Sequence, residues 1–222
     1  GYNVVGGVSE AERERVSIDA MVRLARNAKA NGVGVQMDMT DLESAPFIAR
    51  AAEQIVRQAR VPVRLAISAR YEQSEQMLAR WADVGRETGI KVGVRLVKGS
   101  FVQPLVEGVI NERQPLLEQY KRVITKAMEN DDALDIAVAT QNEEIFRHAE
   151  ADAGRLGEDY TVNVIRGVNT PVQDIMRAAG RISAEYVSYG IDGPKFGVTE
   201  LYNNWRARRA IAKTGVPIEK LD

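Results

Sequence analysis

Short apolar runs alternate along this sequence with longer segments whose apolar residues recur at helical spacing, and this alternation constrains the fold most. Successive runs lie roughly thirty residues apart, the size of one β-strand followed by one α-helix. The predicted strands are Tyr2–Val5, Val33–Met39, Val63–Ile67, Val92–Val97, Leu134–Ala139, Tyr160–Ile165 and Ala184–Tyr189. Several are unbroken Val, Ile, Leu and Ala runs, which are typical of strands covered on both faces of a parallel sheet.

The segments between the strands have helical patterns. Apolar residues within Ile18–Ala25 fall at positions i, i+3, i+4 and i+7, so they define the apolar face of a first helix. Ser44 is predicted to cap the next helix, and Gly32 and Gly89 are predicted to end helices. Further helices are predicted at Phe47–Arg60, Gln73–Glu87, Gln114–Glu129, Glu143–Leu156, Pro171–Ala179 and Thr199–Lys213.

This series predicts an α/β protein with a parallel (βα)8 barrel of the TIM type, in which the first βα unit is missing or altered. A doubly wound open sheet is the alternative. That fold usually carries a Gly-rich phosphate loop after its first strand, and Val5-Gly6-Gly7-Val8-Ser9 lacks the required spacing. No linker or composition break divides the sequence, so residues 1–222 are predicted to form one domain. The first residue is Gly1 rather than Met, which fits processing or an origin inside a longer chain.

The composition excludes several kinds of site and partner. Lys and Arg number 30 and Asp and Glu number 31, without a block of like charge, so no nucleic-acid partner is predicted. The absence of cysteine excludes disulfides, thiolate catalysis and Cys-ligated zinc, and the single histidine, His148, argues against a metal site built from histidines. No apolar run reaches the roughly 20 residues that cross a bilayer, and no signal pattern is present. A cytoplasmic protein is expected, with peripheral association at the inner membrane as the alternative.

Polar residues follow most of the predicted strands, where a parallel barrel places its active site. They are Asp38, Ser68, Arg70, Lys98, Gly99, Thr140, Gln141, Asn142, Arg166, Gly167, Tyr186, Tyr189 and Gly190. Few of these side chains have a natural pKa near neutrality. The set therefore favours binding of a large polar cofactor and hydride transfer over proton-shuttling hydrolysis.

The most specific string is Arg95-Leu96-Val97-Lys98-Gly99-Ser100-Phe101. Two cations alternate with apolar residues at a strand end, and a glycine follows where the main chain can approach a ligand. By position alone, a strand whose cations reach solvent is equally compatible. The string resembles the RLVKGAY signature of proline dehydrogenases, including the proline-oxidising domain of bifunctional proline utilisation proteins.

Five further segments resemble motifs of that family in the same order, so the resemblance spans nearly the whole chain. They are Met37-Asp38-Met39, Ala139-Thr140-Gln141-Asn142, Tyr160–Gly167, Tyr186–Gly190 and Arg208-Arg209. The sequence also departs from the family. The first-strand lysine is absent, Gln141 replaces a histidine, Ser68 replaces a glutamine and Ala212 replaces a glutamate.

The resemblance implies FAD as cofactor and oxidation of proline, or a proline-like cyclic imino acid, to the cyclic imine by hydride transfer to flavin. Arg95 is implied to lie near the reactive edge of the flavin. The residues implied to contact FAD are Ser68, Arg95, Val97, Lys98, Gly99, Ser100, Thr140, Gln141, Asn142 and Asn163.

The resemblance also implies a substrate site. Its implied residues are Asp38, Leu96, Ile165, Tyr186, Arg208 and Arg209. Arg208 and Arg209 are implied to clamp the substrate carboxylate, a role that suits guanidinium forks. Apart from the resemblance, two arginines near a helix C-terminus more often form a solvated face.

Two other functions stay open at this point. A Schiff-base lyase or aldolase on the same barrel could use Lys98 as its nucleophile. A non-catalytic relative could have lost flavin, given Gln141, Ser68 and Ala212. The implied partners are the imino acid and an electron acceptor, either a quinone or a carrier protein, and a homo-oligomer or a companion chain stays open.

Overall fold

The computed structural model of the protein describes residues 9–39, 42–99, 107–110, 112–166 and 169–186. Helices and strands alternate along these residues, as the sequence predicts. The helices are α1 (Glu10–Ala30), α2 (Ala45–Ala59), α3 (Ser74–Thr88), α4 (Arg113–Met128), α5 (Glu143–Leu156) and α6 (Thr170–Ala178). The strands are β1 (Val35–Met37), β2 (Val63–Ser68), β3 (Val92–Val97), β4 (Leu134–Ala139), β5 (Thr161–Ile165) and β6 (Ile182–Tyr186).

The element bounds follow the sequence patterns closely. Strands β3 and β4 have the predicted bounds, and the other described strands begin within two residues of the predicted start. Asn31 and Gly89 are the C-cap residues of α1 and α3. Ser44 holds the N-cap position of α2, although its side chain makes no capping hydrogen bond. The predicted strand Tyr2–Val5 and the predicted helix Thr199–Lys213 lie outside the described residues.

The chain divides into two compact units, Gly1–Ile136 and Ala137–Asp222. In the first unit, β1 pairs with β2 and β2 pairs with β3, both in parallel. In the second unit, β4 pairs with β5 and β5 pairs with β6, again in parallel. Parallel neighbours need a crossover connection, and the helices supply it. The prediction that residues 1–222 form one domain stays a prediction.

Helices α2, α3 and α4 pack on strands β2 and β3 of the first unit. Alternate strand residues turn to this covered face and are fully buried: Val63, Leu65, Ile67, Val92, Val94 and Leu96. Two buried aromatic side chains bond the helices to β3. The indole Nε1–H of Trp81 donates to the Gly93 carbonyl at 2.8 Å, and the Tyr120 hydroxyl donates to the Leu96 carbonyl at 2.9 Å. Strand β3 is therefore fixed by directional contacts as well as by apolar packing.

The other face of this sheet carries an ion pair between Arg64 on β2 and Asp135, a first-unit residue at the start of β4. Gly93 pairs with Arg64 in the strand register. A Cβ atom at Gly93 would lie 2.9 Å from the Cβ and 3.0 Å from the Cα of Arg64. Because side chains do not tolerate such approaches, Gly93 provides the space that Arg64 occupies.

In the second unit, Arg181 joins helix α5 to the start of β6. Its guanidinium carbon lies 4.7 Å from the centroid of the Tyr160 ring, and its Nε donates to Glu150 at 2.6 Å. The Tyr160 hydroxyl donates to the same carboxylate at 2.8 Å. Burial, together with this carboxylate, raises the pKa of Tyr160 above its ordinary value, so the phenol stays a donor.

Among the helices of the described ranges, none combines the length and the apolar character that spanning a membrane requires.

Candidate active site

The carboxyl ends of β1, β2 and β3 bring the predicted site residues of the first unit to one edge of its sheet. Asp38 follows β1, Ser68 ends β2, and Lys98 follows β3. Ser68 pairs with Val97 in the strand register, so the last residues of β2 and β3 lie side by side. The sequence predicts polar residues at the ends of these strands, and the fold brings those residues to one edge of the sheet.

Arg95 is the half-buried cation of this edge. Its Nη1 lies 3.5 Å from Oδ1 of Asp38, with 24% of the Arg95 side chain exposed. The Gln36 side chain donates to the same Asp38 oxygen at 3.1 Å. Gln36 precedes Asp38 by two residues, so both side chains lie on one face of the strand. Sequence reasoning missed Gln36, and this i, i+2 spacing is the signal that could have found it.

Gly99 makes a close main-chain approach at the end of β3. Its φ is +94°, and a Cβ atom there would lie 2.6 Å from Ser68 Oγ and 3.2 Å from Arg70 Nε. A residue with a side chain would therefore be both strained and obstructed. The Ser68 hydroxyl donates to the Lys98 carbonyl at 3.5 Å and accepts from the Arg70 amide at 3.3 Å. The side chain of Ser68 thus braces the Lys98-Gly99 turn.

Leu96 and Val97 lie on opposite faces of β3. Leu96 is fully buried on the helix-covered face, whereas Val97 is half-buried on the face of Arg95. The burial of Leu96 favours a core role, and its contact with a substrate ring stays a prediction. The Val97 side chain lies on the same face of β3 as Arg95, and its contact with the cofactor stays a prediction.

The residues after β4 brace the second unit. The hydroxyl of Thr140 accepts from the Asn142 amide at 3.1 Å, and the Asn142 side chain caps α5 by accepting from the Ile145 amide at 3.2 Å. Thr140 and Asn142 are both buried. These bonds fix the start of α5, and the predicted cofactor contacts of both side chains stay predictions.

Gln141 connects the β4–α5 turn to the end of β5. Its Nε2 donates to the Ile165 carbonyl at 2.7 Å, and the Gln173 side chain donates to the same carbonyl at 2.7 Å. The Asn169 side chain donates to the Gln141 carbonyl at 2.7 Å. Sequence reasoning missed Asn169 and Gln173, because Asn169 is the N-cap residue of α6, Gln173 lies within α6, and neither carries a strand-end signal.

Ile165 and Tyr186 are register partners at the ends of β5 and β6. Side chains of directly paired residues lie on the same face, so these two apolar groups are neighbours. Tyr186 is 55% exposed and Ile165 is half-buried, so both have accessible surface. Asn163 lies two residues before Ile165 on β5. Its side chain is buried and donates to the Ser183 hydroxyl at 3.2 Å.

Ser100, Arg208 and Arg209 lie outside the described residues, and so do the predicted strand-end residues Gly167, Tyr189 and Gly190. Within the part of the chain that the structure describes, no group of three or more His, Asp or Glu side chains could hold a metal ion. His148 lies inside α5, with its Nε2 3.4 Å from the Asp152 carboxylate.

The sequence and the fold of this chain are similar to those of known proteins. A family model described as proline dehydrogenase matches residues 3–193. The crystal structure of proline utilization A (PutA) from Bdellovibrio bacteriovorus, inactivated by N-propargylglycine, has a TM-score of 0.82 at 18% sequence identity, covering 95% of this chain and 24% of that chain. A PutA mutant from Bradyrhizobium japonicum has a TM-score of 0.70 at 16% identity, covering 79% of this chain and 20% of that chain.

A further PutA structure, with proline bound in remote sites, has a TM-score of 0.67 at 16% identity, covering 76% of this chain and 19% of that chain. The chain therefore matches a quarter or less of the length of these solved relatives. No protein of curated function matches the sequence significantly. The structural likeness confirms the predicted fold class, α/β with parallel strands of the (βα)8 type. Since the family model covers more than half of the sequence, the chain belongs to the proline dehydrogenase family.

Proposed function

We propose that this chain oxidises proline, or a proline-like cyclic imino acid, to the cyclic imine, with FAD as the hydride acceptor. Membership of the proline dehydrogenase family supports the reaction class. The observation that carries the proposal is the half-buried Arg95 beside Asp38 at the strand ends of the first unit. A cation held in such a place can stabilise negative charge that develops during a redox step.

The donor set of the first unit fits an anionic cofactor. FAD carries a diphosphate, and its flavin gains negative charge on reduction. Arg95 supplies a half-buried guanidinium, Lys98 supplies a second cation, and the φ of +94° at Gly99 lets the main chain turn sharply beside them. Arg95, Lys98 and Gly99 would hold the cofactor, with Val97 and Ser100 as further contacts implied by the family resemblance. When bound, FAD supplies a two-electron acceptor that amino-acid side chains lack.

The first-unit residues act on charge and orientation. Asp38 holds the Arg95 guanidinium, and Gln36 in turn holds the Asp38 carboxylate, so the cation is presented in one orientation. Preorganised charge of this kind needs no rearrangement during the reaction. Asp38 also offers a carboxylate for the substrate nitrogen, which must lose its proton as the ring carbon beside it loses a hydride.

In the second unit, we assign the apolar pair Ile165 and Tyr186 to packing against the imino-acid ring. Their accessible, neighbouring side chains support this assignment. Arg208 and Arg209 are proposed to bind the substrate carboxylate, on the basis of the family motif. Four of the implied site residues are buried: Leu96, Thr140, Asn142 and Asn163. A fifth, Gln141, donates to a main-chain carbonyl. We therefore propose that these five residues support the site by stabilising the fold around it.

The electron acceptor for the reduced cofactor is proposed to be a quinone or a carrier protein. A companion chain, or a second copy of this chain in a homo-oligomer, is proposed as a further partner. The protein is proposed to lie in the cytoplasm, with peripheral contact at the inner membrane as the alternative location.

The test is a visible absorption spectrum of the purified protein, followed by anaerobic addition of proline. We expect flavin bands that bleach with proline and persist with alanine, which lacks the ring. Bands that persist with proline would keep the flavoenzyme and direct the search to other secondary amines. A colourless protein that takes up no added FAD would overturn the proposal. Borohydride trapping of an imine on Lys98 would then identify the lyase, and its absence would identify the binding relative.

A further inference from the structure

Arg70 joins two connections at the strand ends of the first unit. It lies in the segment that follows β2, and its side chain reaches the segment that follows β3. Its Nε donates to the Gly99 carbonyl at 3.0 Å, and its Nη1 donates to the Ile110 carbonyl at 3.2 Å. Gly99 lies at the start of the β3–α4 connection and Ile110 near its end. The guanidinium of Arg70 therefore links both ends of the β3–α4 connection to the segment that follows β2.

The main chain reinforces this attachment at the second end. The Ile110 amide donates to the Arg70 carbonyl at 2.7 Å, and the Glu72 amide donates to the Gly108 carbonyl at 3.0 Å. Tyr71 and Val109 form an antiparallel bridge between these bonds. The Tyr71 side chain is 1% exposed, so the bridge is anchored in the core. The end of the β3–α4 connection is thus docked independently of the Arg70 side chain.

Two side-chain hydrogen bonds hold main-chain carbonyls at the start of the connection. Gly99 is held by Arg70, and Lys98 is held by the longer 3.5 Å bond from the Ser68 hydroxyl. The shorter bond to Gly99 comes from a charged donor, which makes it the stronger of the two. Burial lowers the pKa of Arg70, but a guanidinium keeps its charge at any ordinary pH. Its planar fork can donate to two carbonyls at once, which a lysine ammonium on a flexible stem does poorly.

We propose that Arg70 is a positioning residue that fixes the Lys98-Gly99 turn, so that this turn meets the anionic diphosphate of the cofactor in one arrangement. This inference rests on the proposed function, because it assigns to Arg70 the support of a turn that is proposed to bind FAD. Arg70 itself contacts the carbonyls and acts through Lys98 and Gly99.

The experiment compares Arg70→Met and Arg70→Lys with the control Arg80→Met. Arg80 is an exposed arginine on α3 that bonds Glu53 and Glu87, so its loss removes hydrogen bonds far from the turn. FAD affinity is measured on the flavin-free protein by quenching of flavin fluorescence. The NMR chemical shift of the Gly99 carbonyl carbon and the amide hydrogen exchange of Glu72 and Ile110 are measured without FAD.

We expect the FAD dissociation constant to rise about 10-fold or more in Arg70→Met and by a smaller factor in Arg70→Lys. The chemical shift of the Gly99 carbonyl carbon should change, because its oxygen loses the Arg70 donor. The amides of Glu72 and Ile110 should stay protected by the main-chain bonds that they donate. Arg80→Met should leave both readouts unchanged. If Arg70→Met does not fold, Arg70→Lys decides, since it keeps the charge.

Wild-type FAD affinity in a folded Arg70 variant would overturn the inference while leaving the proposed function intact. An unchanged chemical shift of the Gly99 carbonyl carbon would overturn the attachment itself. A wild-type protein that binds no FAD would overturn the proposed function, and the cofactor role of Arg70 with it.

Discussion

Arg95 and Asp38 form an ion pair across the end of β2, with 3.5 Å between Nη1 and Oδ1. The strand between them contributes Ala66, which pairs with Arg95 in the register. The small alanine side chain leaves room for the Arg95 and Asp38 side chains to meet over it. The charge of Arg95 is therefore oriented by a residue two strands away in the sheet.

Replacement of Asp38 by Asn tests this orientation. Under the proposed function, kcat/KM for proline should fall about 10-fold, equivalent to about 1.4 kcal/mol of transition-state stabilisation. The Tm should shift by no more than about 4 °C, because the Asp38 side chain is 53% exposed and an ion pair with an exposed partner contributes little stability. Steady-state dye reduction and a thermal melt measure the two quantities. Asp132→Asn, which removes the exposed partner of Arg86, is the matched control and should leave kcat/KM unchanged. Equal losses in both variants would contradict the assignment.

Gly93→Ala is expected to lower the free energy of unfolding by about 1–3 kcal/mol, the usual cost of an overpacked site. The new Cβ would lie 2.9 Å from Arg64 Cβ, and the Arg64 backbone beside it cannot move freely. Gly154→Ala is the control. No heavy atom lies within 4 Å of a Cβ built at Gly154, which is inside α5, so this change should stabilise the protein by up to about 1 kcal/mol. Denaturant titrations of both variants measure the difference, and a neutral Gly93→Ala would show that Arg64 can yield.

Tyr120→Phe should change how stability depends on alkaline pH. Burial raises the pKa of the Tyr120 phenol above its ordinary value, so the folded protein keeps the proton where the unfolded chain loses it. The corresponding stability is fully present below about pH 10 and is lost as the pH rises beyond it. At pH 7 the variant should be less stable by about 1–3 kcal/mol, because the Leu96 carbonyl loses a buried donor.

Thermal melts of the wild-type protein and Tyr120→Phe at pH 7 and pH 11 measure both effects. The wild-type Tm should fall further between these pH values than the Tm of the variant. The reverse order would mean that Tyr120 does not contribute to alkaline unfolding.

Arg208→Met and Arg209→Met, made singly, should raise the KM for proline about 10-fold or more and leave the FAD dissociation constant within about twofold of wild type. The reason is the proposed contact of both guanidinium groups with the substrate carboxylate. Arg147→Met, on the exposed face of α5, is the control for a lost surface arginine. Equal losses of substrate and FAD affinity would contradict the proposed role.

The alternation of strands and helices was predictable because it depends on local composition. The runs Val92–Val97 and Leu134–Ala139 are rich in β-branched and apolar residues, and their strands have the predicted bounds. The helix ends at Gly32 and Gly89, whose φ values are +67° and +66°, follow from the left-handed conformation that glycine adopts at low cost. Each of these signals acts within a few residues of the position it determines.

The bonding of the site was less predictable, because it depends on contacts between distant segments. Nothing near Arg70 in the sequence indicates that its side chain reaches the carbonyls of Gly99 and Ile110. The double attachment of the Ile165 carbonyl to Gln141 and Gln173 depends likewise on how a strand end meets a later helix. The family motif identified Gln141 as a notable position, whereas only the folded chain shows what its amide binds.

The buried indole of Trp81 gives the chain an internal optical reporter. The sequence has two tryptophans, and Trp81 is 2% exposed within the first compact unit. In a Trp205→Phe background, indole emission would follow the unfolding of that unit alone, while far-ultraviolet circular dichroism would follow all helices. Coincident transitions would mean that the chain unfolds in one cooperative step. Separated transitions would mean that its two units unfold independently.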